Sequence, residues 1–201
     1  MSRALTAFVS ISLLALAPAC DSSDADLGDD FRGSLDVNTQ MTMADGGSDD
    51  GTVIWEIVEA GVVYEGEAAL GNVLMYVEDN AIFDASGVQT CSVDSPHLNS
   101  KLREVIAANG TEVLFTLWGD YVFEGHVDVK VANWGQMKKR FGEQLLFQYQ
   151  PNDIFLGEAI NGYRLMTTNA DIAAQSEGRK LLMAALMTGE CGSAGLPGYT
   201  F

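Results

Sequence analysis

One of the two histidines in this chain, His126, stands between carboxylates in the segment Glu124-Gly125-His126-Val127-Asp128. Side chains two apart on a strand leave the same face about 6.8 Å from one another. Glu124, His126 and Asp128 therefore line one side of any strand that holds them. An imidazole among carboxylates is the raw material of general acid–base chemistry, and so of a hydrolase. A shared metal needs ligands about 2 Å from one ion, which three positions spread along one strand do not provide. A solvated strand face is the plainer reading. The second histidine, His97, opens a predicted helix. Neither a Gly-x-Ser-x-Gly elbow nor a cysteine-protease signature occurs in the chain. Asp45, Asp49 and Asp50 crowd one loop and are the candidate ligands for a divalent cation. They lack the Asp-x-Asp-x-Asp-Gly order and terminal Glu of a calcium loop, and the turn chemistry of Asp and Gly accounts for them. No motif calls for a cofactor, and none is expected.

The three cysteines are Cys20, Cys91 and Cys191. An odd count in an exported chain needs one thiol committed elsewhere, and the first twenty residues suggest which. Arg3 makes a positive start. Ala4 to Leu16 is an apolar run broken by Thr6, Ser10 and Ser12. It is too short for the ~20 residues of a membrane span and has the length of a signal core. Ala17-Pro18-Ala19 then sets small residues before Cys20. This segment resembles the precursor of a bacterial lipoprotein. The resemblance covers residues 1–20 only. It implies that residues 1–19 leave as a signal peptide, that the Cys20 thiol receives a diacylglycerol, and that Cys20 becomes the first residue of a membrane-anchored protein. An ordinary cut after Ala19, leaving Cys20 unmodified, is the alternative. The expected location is the bacterial cell envelope, facing the periplasm or the exterior. With Cys20 acylated, Cys91 and Cys191 are left to pair in an oxidising compartment. Closing a loop of that length is worth up to ~4.7 kcal/mol in the chain-entropy view.

The balance of 28 acidic and 11 basic residues gives a net charge of −17. Nucleic acid is excluded as a partner, because phosphate binding needs basic patches. Anionic headgroups are disfavoured for the same reason. The single basic cluster, Lys138-Lys139-Arg140, is expected on a solvated helix face. A cationic protein or a divalent cation remains open, beside simple solubility. Three function classes follow: a lipid-anchored binding or structural module without catalysis, an envelope hydrolase using Glu124, His126 and Asp128, and an inhibitor of a basic secreted enzyme. Trp55, Trp118 and Trp134 would line a groove or fill a core, and their patterned contexts favour the core.

The elements that must position these residues follow from periodicity. Residues 20–30, rich in Asp, cannot bury enough to order themselves and form a tether. Residues 31–201 make one domain. Phe31 to Met43 alternates with period two and predicts a strand, followed by a turn-rich connection over Ala44 to Gly51. Val53–Glu59 and Val62–Ala68 predict a hairpin, Val73 to Val77 and Ala81 to Asp84 two further strands, and Ser86 to Pro96 a loop holding Cys91. Thr111–Trp118 with Tyr121–Val131, and Ile154–Ile160 with Tyr163–Thr167 around Asn161-Gly162, predict two more hairpins. Helical spacing predicts helices over His97–Ala108, from Asn133 towards Pro151, and over Ala170–Thr188. Residues 51–70 align without a gap to residues 110–129. The expectation is an α+β domain: an antiparallel sheet of six or more strands with about three helices on one face. The ending Tyr199-Thr200-Phe201 is similar to the terminal aromatic of outer-membrane barrels. The long alternating strands such barrels need are missing, and that reading is set aside.

Overall fold

The computed structural model describes residues 37–45, 48–58, 61–94, 102–127 and 134–201. Its strands are β1 (Thr39–Asp45), β2 (Ser48–Ile57), β3 (Val62–Glu65), β4 (Val73–Glu78), β5 (Ala81–Asp84), β6 (Gln89–Asp94), β7 (Leu102–Ala107), β8 (Val113–Trp118), β9 (Tyr121–Glu124), β10 (Leu145–Tyr149), β11 (Asp153–Leu156) and β12 (Tyr163–Thr168). Each pairs antiparallel with the next, and β12 returns to β1 through Met41↔Thr168, Thr42↔Thr167 and Met43↔Met166. The result is a closed twelve-stranded barrel. It overturns the expected α+β sheet with three helices on one face. Closure removes the two free edges that such a sheet would leave.

Among the described residues there are two α-helices: α1 (Trp134–Phe141), followed by a 3-10 turn over Gly142–Gln144, and α2 (Glu177–Thr188). Helix α2 is buried from Gly178 to Met187 and shares one core with inward residues of the wall, among them Ile57, Met75, Val105, Phe115 and Phe147. It therefore fills the lumen. Leu181 to Met187 is apolar on every side, so this helix has no face to give to water. A twelve-stranded wall leaves room for a rod about 10 Å across. The strands have seven residues or fewer apart from β2. Crossing a bilayer takes about 9–11 residues per strand, and outward positions such as Glu56, Glu104 and Gln148 are polar.

Several boundaries differ from expectation for local reasons. Residues 102–107, expected in a helix, form β7; the helical spacing of Leu102, Val105 and Ile106 yields to ladders with β6 and β8. The expected loop around Cys91 contains β6, where Cys91 and Val93 point inward between Thr90, Ser92 and Asp94. The helix expected up to Pro151 ends at Phe141, and Leu145–Tyr149 is strand β10. The helix expected from Ala170 begins at Glu177, with Ser176 as its N-cap. The turn expected over Ala44 to Gly51 is mostly ladder, with Ala44↔Asp49 and Asp45↔Ser48 paired. Residues 1–36 and 97–101 lie outside the described residues, as does Asp128.

Odd-numbered strands all finish at the end where α2 emerges, here the exit end; even-numbered strands finish at the entry end. The entry end is closed by charged groups of the first helical turn. Arg103 Nη2 meets Glu177 Oε2 at 3.0 Å, and Lys180 Nζ meets Asp120 Oδ1 at 2.7 Å. Arg179 donates to the Val58 carbonyl at 2.9 Å, and Tyr149 donates to the Lys180 carbonyl at 2.6 Å. The exit end is closed by residues 189–201. The expected disulfide is present: Cys191 is joined to Cys91 on β6, with the two Cα atoms 5.3 Å apart. Leu196 donates its N–H to Met187, and the Phe201 ring packs edge-on against Phe147 at 4.9 Å.

Candidate functional site

A pocket of about 210 Å3 opens at the exit end. Three exposed carboxylates stand around it, each set by a different element: Glu112 by the β7–β8 turn, Glu124 by the end of β9, and Glu190 by the chain leaving α2. Leu114, Phe115 and Leu146 give it an apolar floor, and Phe201 forms one side. Among the described residues, none of the three carboxylates is joined to a basic side chain. Nor do any three potential ligands stand close enough to hold a metal. The carboxylates rim the pocket without converging. Its volume lies below the ~300–1,000 Å3 of small-molecule sites. A single ammonium or guanidinium side chain suits it, with the aliphatic stem on the floor and the charge at the rim.

The expected carboxylate–histidine line is rearranged. Strand β9 ends at Glu124 because Gly125 turns the chain at φ 64°, so His126 no longer alternates with Glu124 on a strand. This corrects the strand expected over Tyr121–Val131. Instead, Nδ1 of His126 lies 2.5 Å from Oε1 of Glu104. Glu104 is an outward residue of β7, 5% exposed, with Asp94 and Thr116 as its cross-strand neighbours. The Thr116 hydroxyl is bonded to the Gly125 carbonyl at 2.6 Å and helps hold the turn in place. A carboxylate on Nδ1 orients an imidazole and leaves Nε2 for other partners, but here the ring stands on the outer wall, away from the pocket. Asp45 ends β1, and Asp49 and Asp50 begin β2, so the three candidate cation ligands belong to a hairpin ladder at the exit end. Cys20 lies outside the described residues.

The tryptophans serve packing. Trp55 belongs to the barrel core. Trp118, Tyr121 and Trp134 stack on the outer wall, with the Tyr121 and Trp134 rings 3.9 Å apart, and clamp α1 over Phe123, Val127 and Met137. Burial first, then the charges of Glu158 and Asp120, raise the Tyr121 phenol above its ordinary range. Lys138 is bonded to Glu158, whose carboxyl is held below the usual range chiefly by that ammonium.

A repeat that the aligned segments only half expose emerges from the hydrogen bonds. The N–H groups of Gly66, Gly125 and Gly157 donate to Ile54, Leu114 and Leu146 at 2.7, 2.9 and 2.8 Å. In register, Trp55 faces Glu65 whereas Phe115 faces Glu124. The ungapped alignment of 51–70 with 110–129 thus fits the second strand of each hairpin and slips one residue in the first. Two of these hairpins lead into the loops Gly66-Glu67-Ala68-Ala69-Leu70-Gly71 and Gly157-Glu158-Ala159-Ile160-Asn161-Gly162. The shared Gly-Glu-Ala-x-x-Gly spacing was the sequence signal for them. Both loops lie at the exit end. The outer wall between them, on β1 and β12, carries a groove of about 390 Å3 over the bonded hydroxyls of Thr42 and Thr167.

Compared with known proteins, the chain matches no family model, no curated protein and no solved structure.

Proposed function

We propose that this chain is a lipid-anchored protein of the bacterial cell envelope, held through Cys20, whose barrel is a non-catalytic binding module for a cationic partner. The observation that carries this reading is the pocket rimmed by Glu112, Glu124 and Glu190 over an apolar floor. The lumen is taken up by α2, so recognition falls to the ends and the outer wall. The net charge of −17 attracts basic partners over distance, and the rim gives that attraction a place to end. The leader segment and the Cys91–Cys191 bridge both suit an oxidising compartment.

A lysine-only peptide of sixteen residues, titrated at low salt and followed by tryptophan fluorescence or calorimetry, tests the pocket. The triple variant E112Q/E124Q/E190Q loses about tenfold or more in affinity if the rim is the site. Equal binding by wild type and variant refutes the assignment. Intact mass of membrane-extracted protein tests the anchor, since a diacylglycerol on Cys20 adds its mass to a chain that starts at that residue.

A further inference from the structure

Among the described residues, the large apolar side chains left in solvent gather at one end. Leu70, Val88, Ile160 and Phe201 are at or beside the exit end, as are the remaining ones apart from Val37. Exposed apolar residues scattered singly need no explanation, but a one-ended distribution points to an interaction surface. Leu70 and Ile160 are the extreme cases, 88% and 81% exposed. Each sits in one of the two Gly-Glu-Ala-x-x-Gly loops, and both loops are braced alike. The N–H of Ala68 donates to Glu56 at 2.7 Å, and that of Ala159 to Gln148 at 2.6 Å. Gly71 and Gly162 lie so close to the carbonyls of Glu65 and Leu156 that a Cβ would overlap them. The tips are thus fixed by the wall, and little ordering entropy remains to be lost on contact.

In strand order these loops flank the β1–β2 hairpin. Three inter-strand steps separate β3 from β12, about 14 Å along the wall. The charge beside Leu70 and around the pocket is negative. Glu65 and Glu67 are exposed beside Leu70, and the three pocket carboxylates continue round the same rim, while Glu158 is already matched by Lys138. An anionic bilayer is the wrong occupant for such a face. We infer that the exit-end rim formed by these two loops is a docking face for a basic polypeptide. Apolar side chains of that partner seat on Leu70 and Ile160, and its lysines and arginines meet Glu67 and the pocket carboxylates. This rests on the proposed cationic partner and adds the apolar half of its recognition.

The test uses the purified full chain and two probes: the lysine-only peptide and a sixteen-residue peptide alternating Leu and Lys. In wild type the Leu–Lys peptide binds more tightly. The surface variant L70S/I160S lowers its affinity about tenfold or more while the lysine-only peptide changes less than twofold. If L70S/I160S binds the Leu–Lys peptide as wild type does and E112Q/E124Q/E190Q still weakens both probes, the apolar anchors are refuted and the acidic pocket stands. If neither peptide binds wild type, both readings fall. Sedimentation with phosphatidylcholine vesicles that depends on Leu70 and Ile160 would make a bilayer the occupant and overturn the inference. Light scattering that shows a dimer broken by L70S/I160S would make a second copy the occupant and overturn it likewise.

Discussion

Gln148 Oε1 accepts the backbone N–H of Ala159 at 2.6 Å and so ties the β11–β12 loop to the outer wall of β10. The same place two strands into the chain is filled by Glu56, which accepts from Ala68 at 2.7 Å. Both side chains are nearly buried. A single frame thus recurs at distant points of the chain, and it fixes the two loops that carry the exposed aliphatic tips.

Loss of either acceptor leaves a backbone donor unmatched. Glu56→Ala and Gln148→Ala are each expected to cost about 1–2 kcal/mol, while Glu56→Gln keeps an acceptor and costs less than about 0.5 kcal/mol. Urea unfolding measures the cost. Hydrogen exchange at Ala68 and Ala159 localises it, each amide losing protection only in its own variant.

The glycine that closes each loop is held there by space. In Gly162→Ala the added methyl group meets the Leu156 carbonyl, so the loop must shift, at a cost of about 2 kcal/mol or more. Gly142→Ala is the control, since its nearest neighbour is the flexible Lys138 side chain at 3.7 Å. Its thermal midpoint is expected to stay near that of wild type.

Reduction of Cys91–Cys191, or the paired substitution C91A/C191A, frees residues 189–201 from the wall of β6. The expected cost is about 2–5 kcal/mol. The denaturation midpoint should fall with the bridge removed, and limited proteolysis should reach the segment carrying Phe201 before the barrel opens. An unchanged midpoint and an equally resistant tail would show that the bridge constrains nothing.

Tyr149 sets an alkaline limit. Burial pushes its phenol well above the ordinary value near 10, and the charge of Asp120 adds to the shift. A folded value above the unfolded one means that the contribution to stability is complete below about pH 10 and is lost as pH rises through the folded value. Tyr149→Phe should therefore flatten the fall in thermal midpoint on the alkaline side. At pH 7 it should cost about 1 kcal/mol through the missing bond to the Lys180 carbonyl.

Local order was legible where the chain states it locally. The hairpins around residues 58–61 and Gly119-Asp120, the short strand Ala81–Asp84 and the paired cysteines all declared themselves through alternation, turn residues and counting. Neighbours within a few residues decide such features. The helical spacings over 102–106 and 145–149 misled because a short apolar segment satisfies either period. Which period wins depends on whether partner strands stand on both sides. Strand β6 was hidden by reading Cys91 as a loop residue, although Thr90 to Asp94 alternates cleanly.

The sequence by itself determined the acidic balance, the leader-like segment ending at Cys20, the Cys91–Cys191 pairing and most strand-forming hairpins, because each depends on composition or on contacts close in the chain. Tertiary structure alone decided that β12 closes on β1, that α2 fills the lumen, that His126 takes Glu104 as its partner, and that Glu112, Glu124 and Glu190 share one rim. Those relationships join residues far apart in sequence, and only the curvature and closure of the wall bring them together.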